Sequence, residues 1–143
     1  MYLGLIGKYE GEIKKHKLSL PSKYIEVLGD TVVVAPGFDK GMFDIYPVPS
    51  WDKFANKLVQ LPDSVQDCRL LKTYFFAGAD ELKVVNGIIN ISEHTLKLVN
   101  NTKDVIICGL GNKVSVWDVE KYEDPILDNI NLERMCNDYG IRL

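Results

Sequence analysis

Leu18-Ser19-Leu20-Pro21 and, 71 positions later, Ile89-Asn90-Ile91-Ser92 share one alternation of apolar and polar side chains. Alternation with a period of two is typical of a strand that is buried on one face. The proline and serine that close these stretches favour the start of a helix. The sequence therefore predicts a strand entering a helix twice, with the helices over Ser22–Leu28 and about Glu93–Val99. Gly29 is a natural residue just past the end of the first helix.

The same unit continues beyond the two helices. Val32-Val33-Val34-Ala35-Pro36-Gly37 and Val105-Ile106-Ile107-Cys108-Gly109-Leu110 are short β-branched runs, and each ends in a turn. Met42-Phe43-Asp44-Ile45-Tyr46 and Val114-Ser115-Val116-Trp117 follow those turns at corresponding places. The chain is therefore predicted to be a tandem repeat of one β-rich unit. Since each copy exposes an apolar sheet face, neither copy is expected to fold alone.

The predicted organisation has four parts. The first repeat covers residues 7–49, bridging helices cover 50–77, the second repeat covers 78–121, and a C-terminal acidic tail covers 122–143. Apolar residues at spacings of three and four mark the two bridging helices: Trp51, Phe54, Ala55, Leu58 and Leu61, then Val65, Cys68, Leu71 and Phe75. From residue 120 onward, three Lys and Arg face six Asp and Glu, a balance of 3 − 6 = −3. The tail is predicted to be helical.

Length and charge exclude several classes of protein. A chain of 143 residues amounts to one domain, and its 46% hydrophobic and 26% charged residues are typical of a globular protein rather than a disordered one. Lys and Arg number 17 and Asp and Glu number 20, so the net charge is 17 − 20 = −3. This balance argues against a generic polycation that coats nucleic acid. Any nucleic-acid site must therefore be a local patch.

The apolar stretches of the chain are short. The longest, such as 31–36 and 105–110, have six residues, whereas a membrane-spanning helix needs about 20. The N-terminus has no basic region ahead of a long apolar stretch, and the three cysteines form no C-x-x-C pair. The sequence therefore predicts a cytoplasmic protein with reduced cysteines and no membrane partner.

The sequence offers little support for catalysis or metal binding. His16 and His94 have no His or Cys at ligand spacing, which argues against a metal site. Gly109-Leu110-Gly111 follows a strand, but Val114 stands where a phosphate-binding loop would have its third glycine. We therefore predict no catalytic residue, no metal, no cofactor and no enzyme.

Lys14-Lys15-His16-Lys17 is the compact basic cluster of the chain. Its three lysines give a local charge of +3 inside a chain of net charge −3, and Lys8 and Lys23 flank it. One interpretation is a solvated hairpin tip that is charged for solubility. The other is a set of phosphate contacts to a nucleic acid. Composition alone leaves both interpretations open.

A resemblance to a known family rests on stretches spread over most of the chain. They are Leu20-Pro21-Ser22-Lys23-Tyr24, Leu28-Gly29-Asp30, Tyr46-Pro47, Ser50-Trp51-Asp52-Lys53, Phe75-Phe76-Ala77-Gly78-Ala79, Gly87-Ile88-Ile89-Asn90-Ile91 and Gly109-Leu110-Gly111-Asn112-Lys113. In order, spacing and duplication they resemble the MraZ family, bacterial regulators built from two AbrB-type swapped-hairpin units. The resemblance implies an α+β, β-rich fold in which the two tandem units form a pseudo-symmetric barrel with bridging and C-terminal helices.

The same resemblance implies sequence-specific binding of double-stranded DNA. The expected target is the promoter of a division and cell-wall gene cluster, bound by ring-shaped homo-oligomers at the nucleoid. In that family each repeat has a D-x-x-x-R loop before the strand that leads into the helix, and Lys17 takes the place of the first arginine. The second loop is Val84-Val85-Asn86-Gly87-Ile88, where Val84 and Ile88 stand at the positions of the charged pair.

These departures from the family pattern favour contacts that position the protein on DNA over contacts that recognise the DNA sequence. Arg offers a planar fork that matches guanine edges, whereas Lys is a flexible point charge. The DNA-binding residues predicted from the first loop and its flanks are Lys14, Lys15, His16, Lys17, Lys8 and Lys23, and the second loop is their degenerate counterpart. An alternative from another class is a self-assembling ring scaffold, or a protein-binding module, whose DNA affinity has decayed.

Overall fold

A computed structural model describes residues 1–142 of the chain. Eight strands form one sheet, and their bounds are β1 Lys8–Lys14, β2 Lys17–Ser19, β3 Thr31–Pro36, β4 Met42–Pro47, β5 Asp80–Lys83, β6 Ile88–Asn90, β7 Asp104–Gly109 and β8 Val114–Asp118. Five α-helices join or follow them, with bounds α1 Ser22–Leu28, α2 Val48–Val59, α3 Gln66–Lys72, α4 Glu93–Leu98 and α5 Asn129–Asp138. A π-helical turn over Thr73–Ala77 continues α3. Leu143, the last residue of the predicted tail, lies outside the described residues.

The two helices that follow the repeated strands form where the sequence predicts them. The bounds of α1 match the prediction, and the amide of Gly29 closes this helix by donating to the carbonyl of Ile25 at 3.0 Å. The second helix, α4, ends one residue earlier than predicted, at Leu98. Between the repeats, α2 begins after Pro47 and carries a second proline in its first turn. A proline is tolerated there because the first helical amides have no partner within the helix.

The strands of the two repeats are exchanged within the single sheet. Its order is β5-β3-β4-β8-β7-β1-β2-β6, and every pairing is antiparallel. Strand β1 of the first repeat pairs with β7 of the second, and β5 of the second pairs with β3 of the first. Strands β5 and β6, at the two ends of this order, are joined by a tight turn, so the sheet nearly closes into a barrel. The α+β fold of two swapped-hairpin units is thus confirmed.

A pseudo-two-fold axis relates the two repeats. Leu18 pairs with Ile89 in the β2–β6 ladder, and Asp44 pairs with Ser115 in the β4–β8 ladder. Both pairs join residues that stand 71 positions apart in the sequence. An axis that exchanges the repeats therefore passes between the members of each pair. The β2–β6 ladder and the β4–β8 ladder are opposite poles of the barrel.

The core lies inside the barrel and draws on both repeats. Its fully buried side chains include Leu18, Ile89, Phe43, Ile45, Val114 and Val116. Full burial of such a side chain contributes about 1.5–3 kcal/mol relative to exposure. A second, smaller cluster of Val33, Ala35 and Tyr46 packs against Trp51 and Phe54 of α2. It attaches the bridging helices to the outer face of the barrel.

The acidic tail contains one helix that leaves the barrel. The carboxylate of Asp128 caps α5 by accepting from the amide of Asn131 at 2.7 Å. None of the α5 side chains is buried. No helix within residues 1–142 has the length and apolar character required to cross a bilayer.

Candidate nucleic-acid interface

The basic cluster forms the tip of the β1–β2 hairpin, hereafter the first tip. Lys15 and His16 are the two central turn residues, with φ of 50° and 67°. Two successive residues with positive φ are typical of a type I′ hairpin turn, which suits the right-handed twist of its strands. Residues with a side chain adopt this conformation at a cost of roughly 1–2 kcal/mol each. Lysine and histidine are therefore held here against local backbone preference.

The second loop forms the equivalent tip of the β5–β6 hairpin, hereafter the second tip. Its central residues are Asn86 and Gly87, with φ of 53° and 73°. They stand 71 positions after Lys15 and His16. Asn-Gly is the residue pair that a type I′ turn favours most. The backbone of the two tips is thus the same, whereas their side chains differ.

Both tips are fixed to the short β2–β6 ladder that lies between them. The amide of Ile91 donates to the carbonyl of His16 at 2.6 Å, and the amide of Leu20 donates to the carbonyl of Gly87 at 2.8 Å. These two bonds are equivalents under the pseudo-symmetry. His16 and Leu20 are four residues apart on an extended chain, so the tips are separated by about 13 Å along the ladder. One surface of the barrel therefore carries both tips.

The outer face of this ladder places residues of both repeats side by side. Leu18 and Ile89 point inward and are fully buried. Their neighbours in the strands point outward, so exposed Lys17 lies opposite exposed Asn90. A shallow groove on the second hairpin is lined by Asn86, Asn90 and other residues of that hairpin, together with Lys17 of the first. The structure thus brings Lys17 of the first loop beside the second loop.

His16 has a structural contact as well as an exposed position. Its Nδ1 lies 3.1 Å from the carbonyl oxygen of Ile91, and in the Nδ1-protonated tautomer it donates to that oxygen. Together with the backbone bond from Ile91, this contact fixes the first tip to the second repeat. His16 therefore helps to hold the turn in which the neighbouring lysines are displayed.

Lys103 is a member of the basic surface that sequence reasoning missed. Strand β1 pairs with β7, and the amide of Ile13 donates to the carbonyl of Lys103 at 2.8 Å. The Nζ of Lys14 lies 3.0 Å from the carboxylate of Glu12. Lys14, and more weakly Lys103, lowers the pKa of the Glu12 carboxyl. Lys103 is isolated in the sequence, and only the long-range strand pairing brings it to the first tip.

One of the predicted residues, Lys8, lies away from this cluster. Lys8 begins β1, six residues before Lys14, which corresponds to about 20 Å along the strand. Its Nζ lies 3.1 Å from Asp124 and 5.4 Å from the ring centroid of Tyr122. Lys23 is exposed on the first turn of α1. The structure therefore does not bring Lys8 to the tip.

The charge of the two tips is opposite in sign. Counted over equivalent positions, the first tip has Lys14, Lys15, Lys17 and Lys103 with Glu10, Glu12 and Asp104, a balance of 4 − 3 = +1. The second tip has Lys83 with Glu81 and Asp30, whose carbonyl accepts from the amide of Val84 at 2.9 Å, a balance of 1 − 2 = −1. Exposed lysines on a rigid turn are suited to phosphate oxygens, which they contact as point charges.

Within residues 1–142, no three His, Cys, Asp or Glu side chains are grouped closely enough to hold a metal ion.

No protein-family model matches the chain. The transcriptional regulator MraZ of Clostridium tetani (strain Massachusetts / E88) is 32% identical to it over 133 residues, which cover 92% of this chain and 93% of that protein. The chain belongs to the MraZ family. Coverage of this extent includes both repeats of the chain and therefore both tips.

Membership of the MraZ family agrees with the exchanged-strand barrel. The relative is similar over nearly its whole length, so the two chains share one arrangement of two repeats rather than one isolated unit. Within this fold, Lys17 of the first tip and Val84 and Ile88 of the second stand at the positions where the sequence resemblance implies charged residues.

Proposed function

We propose that the chain is a DNA-binding transcriptional regulator that docks on double-stranded DNA through the first tip. The observation that carries this proposal is the group of Lys14, Lys15, Lys17 and Lys103 around one rigid turn, in a chain whose net charge is −3. The name of its relative, a transcriptional regulator, supports the same role. The function is non-enzymatic, and its place is the cytoplasm, at the nucleoid.

In the proposed mechanism the lysines neutralise phosphates, and residues on the β2–β6 ladder face the bases. Each neutralised phosphate releases condensed counterions, which makes affinity dependent on salt. Asn90 lies opposite Lys17 on the outer face of the ladder. A side-chain amide of this kind pairs with adenine in the major groove. Lys17 can donate to a phosphate or to guanine, and its flexible side chain restricts the geometry of that contact less. The proposed target is the promoter of a division and cell-wall gene cluster.

A single basic tip per chain favours a multivalent assembly. Linking several weak sites raises the overall affinity without any new contact. A closed ring of identical subunits would set equivalent tips around one rim, where their charges act on one DNA segment. The proposed active form is therefore a ring-shaped homo-oligomer.

A second candidate function is a self-assembling ring scaffold, or a protein-binding module, with decayed DNA affinity. The observation that favours it is the second tip, whose balance of charge is −1 and which lacks the charged pair of the family loop. In this alternative the remaining basic tip keeps the surface soluble and contacts no phosphate.

A mobility-shift titration on the DNA upstream of the gene, at two salt concentrations, separates the two functions. The variant Lys15→Glu with Lys17→Glu should weaken binding strongly and reduce its salt dependence. The matched control is Lys40→Glu with Lys121→Glu, which makes the same change of charge at two exposed lysines in other loops. Equal binding by the two double variants would exclude the first tip. Absence of binding by the unaltered protein at low salt would favour the scaffold.

A further inference from the structure

A groove lined by aromatic rings and lysines lies at the pole opposite the tips, beside the β4–β8 ladder. Its volume is about 370 Å³, and its walls include Phe38, Phe54, Lys53, Lys57 and Lys113. Both repeats contribute to it, because Lys113 precedes β8 whereas the other four residues belong to the first repeat and α2.

The aromatic part of the groove is left open to solvent. Phe38 is 71% exposed, although its ring centroid lies 5.4 Å from that of buried Phe75. Tyr46 forms the floor, where it is buried and stacks on Phe54 with a centroid distance of 6.0 Å. An exposed phenylalanine on a preformed aromatic floor is typical of a surface that another apolar group covers.

The lysines of the groove leave positive charge without a partner. Lys113 is fixed, since its Nζ lies 3.1 Å from the buried carboxylate of Asp44 and 5.4 Å from the ring centroids of Phe38 and Tyr46. Lys53 and Lys57 are exposed one helical turn apart on α2, and within residues 1–142 neither forms an ion pair. The groove therefore suits an apolar segment that carries carboxylates.

The tail of the chain is a segment of that chemistry. On α5 and the residue that ends it, Leu132, Met135, Cys136 and Tyr139 recur at the spacing of one helical face. Leu132, Met135 and Tyr139 are 36%, 42% and 82% exposed. Glu133 and Asp138 border this face on opposite sides, because a residue advances by about 100° around a helix. Asp138 lies 3.3 Å from the guanidinium of Arg134, whereas Glu133 forms no ion pair within residues 1–142.

We propose that this face of α5 in one copy of the chain docks in the groove of a second copy. The apolar stripe would cover Phe38 and Phe54, and Glu133 would lie close to Lys53 and Lys57. This inference rests on the homo-oligomer in the proposed function and names its contact. Such a contact is heterologous, joining different surfaces of the two copies, and it is the kind that generates rings.

The start of the tail favours a second copy over the chain's own groove. The ion pair of Asp124 with Lys8 holds the tail on β1, and the ring centroid of Tyr122 lies 6.0 Å from that of Trp117 on β8. In the sheet, β1 is separated from β4 by β7 and β8. In the single chain none of the α5 side chains is buried, so the chain's own tail leaves the groove uncovered.

Light scattering on the full-length chain at micromolar concentration provides the first test. Lys53→Glu with Lys57→Glu should reduce the mass of the assembly to that of smaller species. Adding Glu133→Lys to the same chain should shift the mass back towards that of the unaltered assembly, which a merely unfolded variant would not do. Lys97→Glu with Lys121→Glu is the matched control, since both lysines are exposed outside the groove, on α4 and in the segment after β8. The control should keep the mass of the unaltered protein.

A disulfide experiment distinguishes docking between copies from docking within one chain. Ser50→Cys places a thiol in the groove, and Cys136 is already on the apolar face of α5. Cys68→Ser and Cys108→Ser remove the other thiols. After oxidation with diamide we expect covalently linked multimers on a non-reducing gel. A linked monomer, or no link at all, would overturn the proposal.

The outcomes also separate this inference from the proposed function. An assembly whose mass is unchanged by the Lys53 and Lys57 substitutions would overturn the tail contact and leave the oligomer and its DNA binding intact. A monomeric unaltered protein would overturn the oligomer and the contact together. If the unaltered protein forms the assembly but shows no DNA binding in a mobility shift, the result counts against the proposed function alone.

Discussion

The two hairpin tips share a backbone and differ in almost everything else. Both are two-residue turns with positive φ, and they stand 71 positions apart. The second is built from Asn86 and Gly87, which suit this conformation, and the first is built from Lys15 and His16, which do not. The fold therefore requires this turn conformation at both tips, but it does not require a particular charge there. The basic first tip is a feature that the barrel tolerates at a cost in stability, as functional sites often do.

The surroundings of the tips extend this difference. The swap of hairpins brings Lys103 to the first tip and Asp30 to the second. The barrel is thus nearly symmetric in backbone and asymmetric in charge. A regulator that uses one tip per chain for phosphates would gain its second contact from another subunit rather than from its own second repeat.

The largest expected effect concerns the two halves of the chain. Fragments ending near Leu61 and beginning near Phe75 should each fail to fold, because β1 needs β7 and β5 needs β3. Proton NMR of each fragment should show the narrow amide dispersion of an unfolded chain, and mixing the two should restore dispersion. Dispersed spectra from either fragment as a monomer would contradict the interlocked barrel.

At the second tip, Gly87→Ala should destabilise the protein by about 1–2 kcal/mol. The φ of Gly87 is 73°, and an added Cβ would lie 2.7 Å from Cδ1 of Ile25. Urea denaturation followed by circular dichroism measures the change in free energy of unfolding. Gly4 is an exposed glycine with a φ of 81°, and it has no atom within 4 Å of such a Cβ, so Gly4→Ala controls for contact with a neighbour. Equal costs would show that backbone strain alone decides the effect.

The helices that follow the tips also differ, because α1 contains a buried group that titrates and the equivalent position in α4 does not. The hydroxyl of Tyr24 in α1 donates to the carbonyls of Ile6 and Gly7, and burial raises the pKa of Tyr24 to about 12. Its counterpart 71 positions later is Thr95, which has no such group to titrate.

Because the folded pKa of Tyr24 lies above the ordinary value of 10.0, its contribution is present below pH 10 and is lost as the pH rises towards 12. Tyr24→Phe should cost about 1 kcal/mol at neutral pH and should flatten the loss of stability above pH 10. Urea denaturation at a series of pH values measures both effects. An alkaline loss that is the same in both proteins would contradict this assignment.

The smallest expected effect lies at the first tip itself. Lys15→Asn should stabilise the protein by about 0.5 kcal/mol, since asparagine accepts positive φ more readily than lysine. The same change should weaken DNA binding, because it removes one charge from the first tip. Thermal unfolding and a mobility shift on one preparation would show opposite signs. If the variant neither gains stability nor loses affinity for DNA, the proposed trade-off between stability and DNA binding at this turn is wrong.

Much of the backbone is predictable from local sequence signals. The alternation at Leu18–Pro21 and Ile89–Ser92, together with Gly29, predicts the repeated strand and helix, and the structure contains both. These signals are local, so they do not depend on which strands become neighbours. The bounds of the four predicted parts and the DNA-binding residues stay predictions.

The composition of the basic surface is less predictable, for a physical reason. Lys8 is close to Lys14 in sequence, but an extended strand carries it to an ion pair with Asp124. Lys103 is far away in sequence, and the pairing of β1 with β7 carries it to the first tip. The charge of a surface depends on which strands pair, including strands that are distant in the sequence. A single sequence indicates that pairing only through its resemblance to a family.

The most direct test of the central claim exchanges the tips. Residues 14–17 are replaced by the four residues of 85–88 in one variant, and the reverse replacement is made in a second. The slope of log affinity against log salt on the upstream DNA is then measured for both and for the unaltered protein. If the three lysines of the first tip each neutralise one phosphate, the first variant should lose a slope of about 2.7, at 0.9 per contact. An unchanged slope in that variant, with the fold intact by circular dichroism, would contradict the assignment of DNA binding to the first tip.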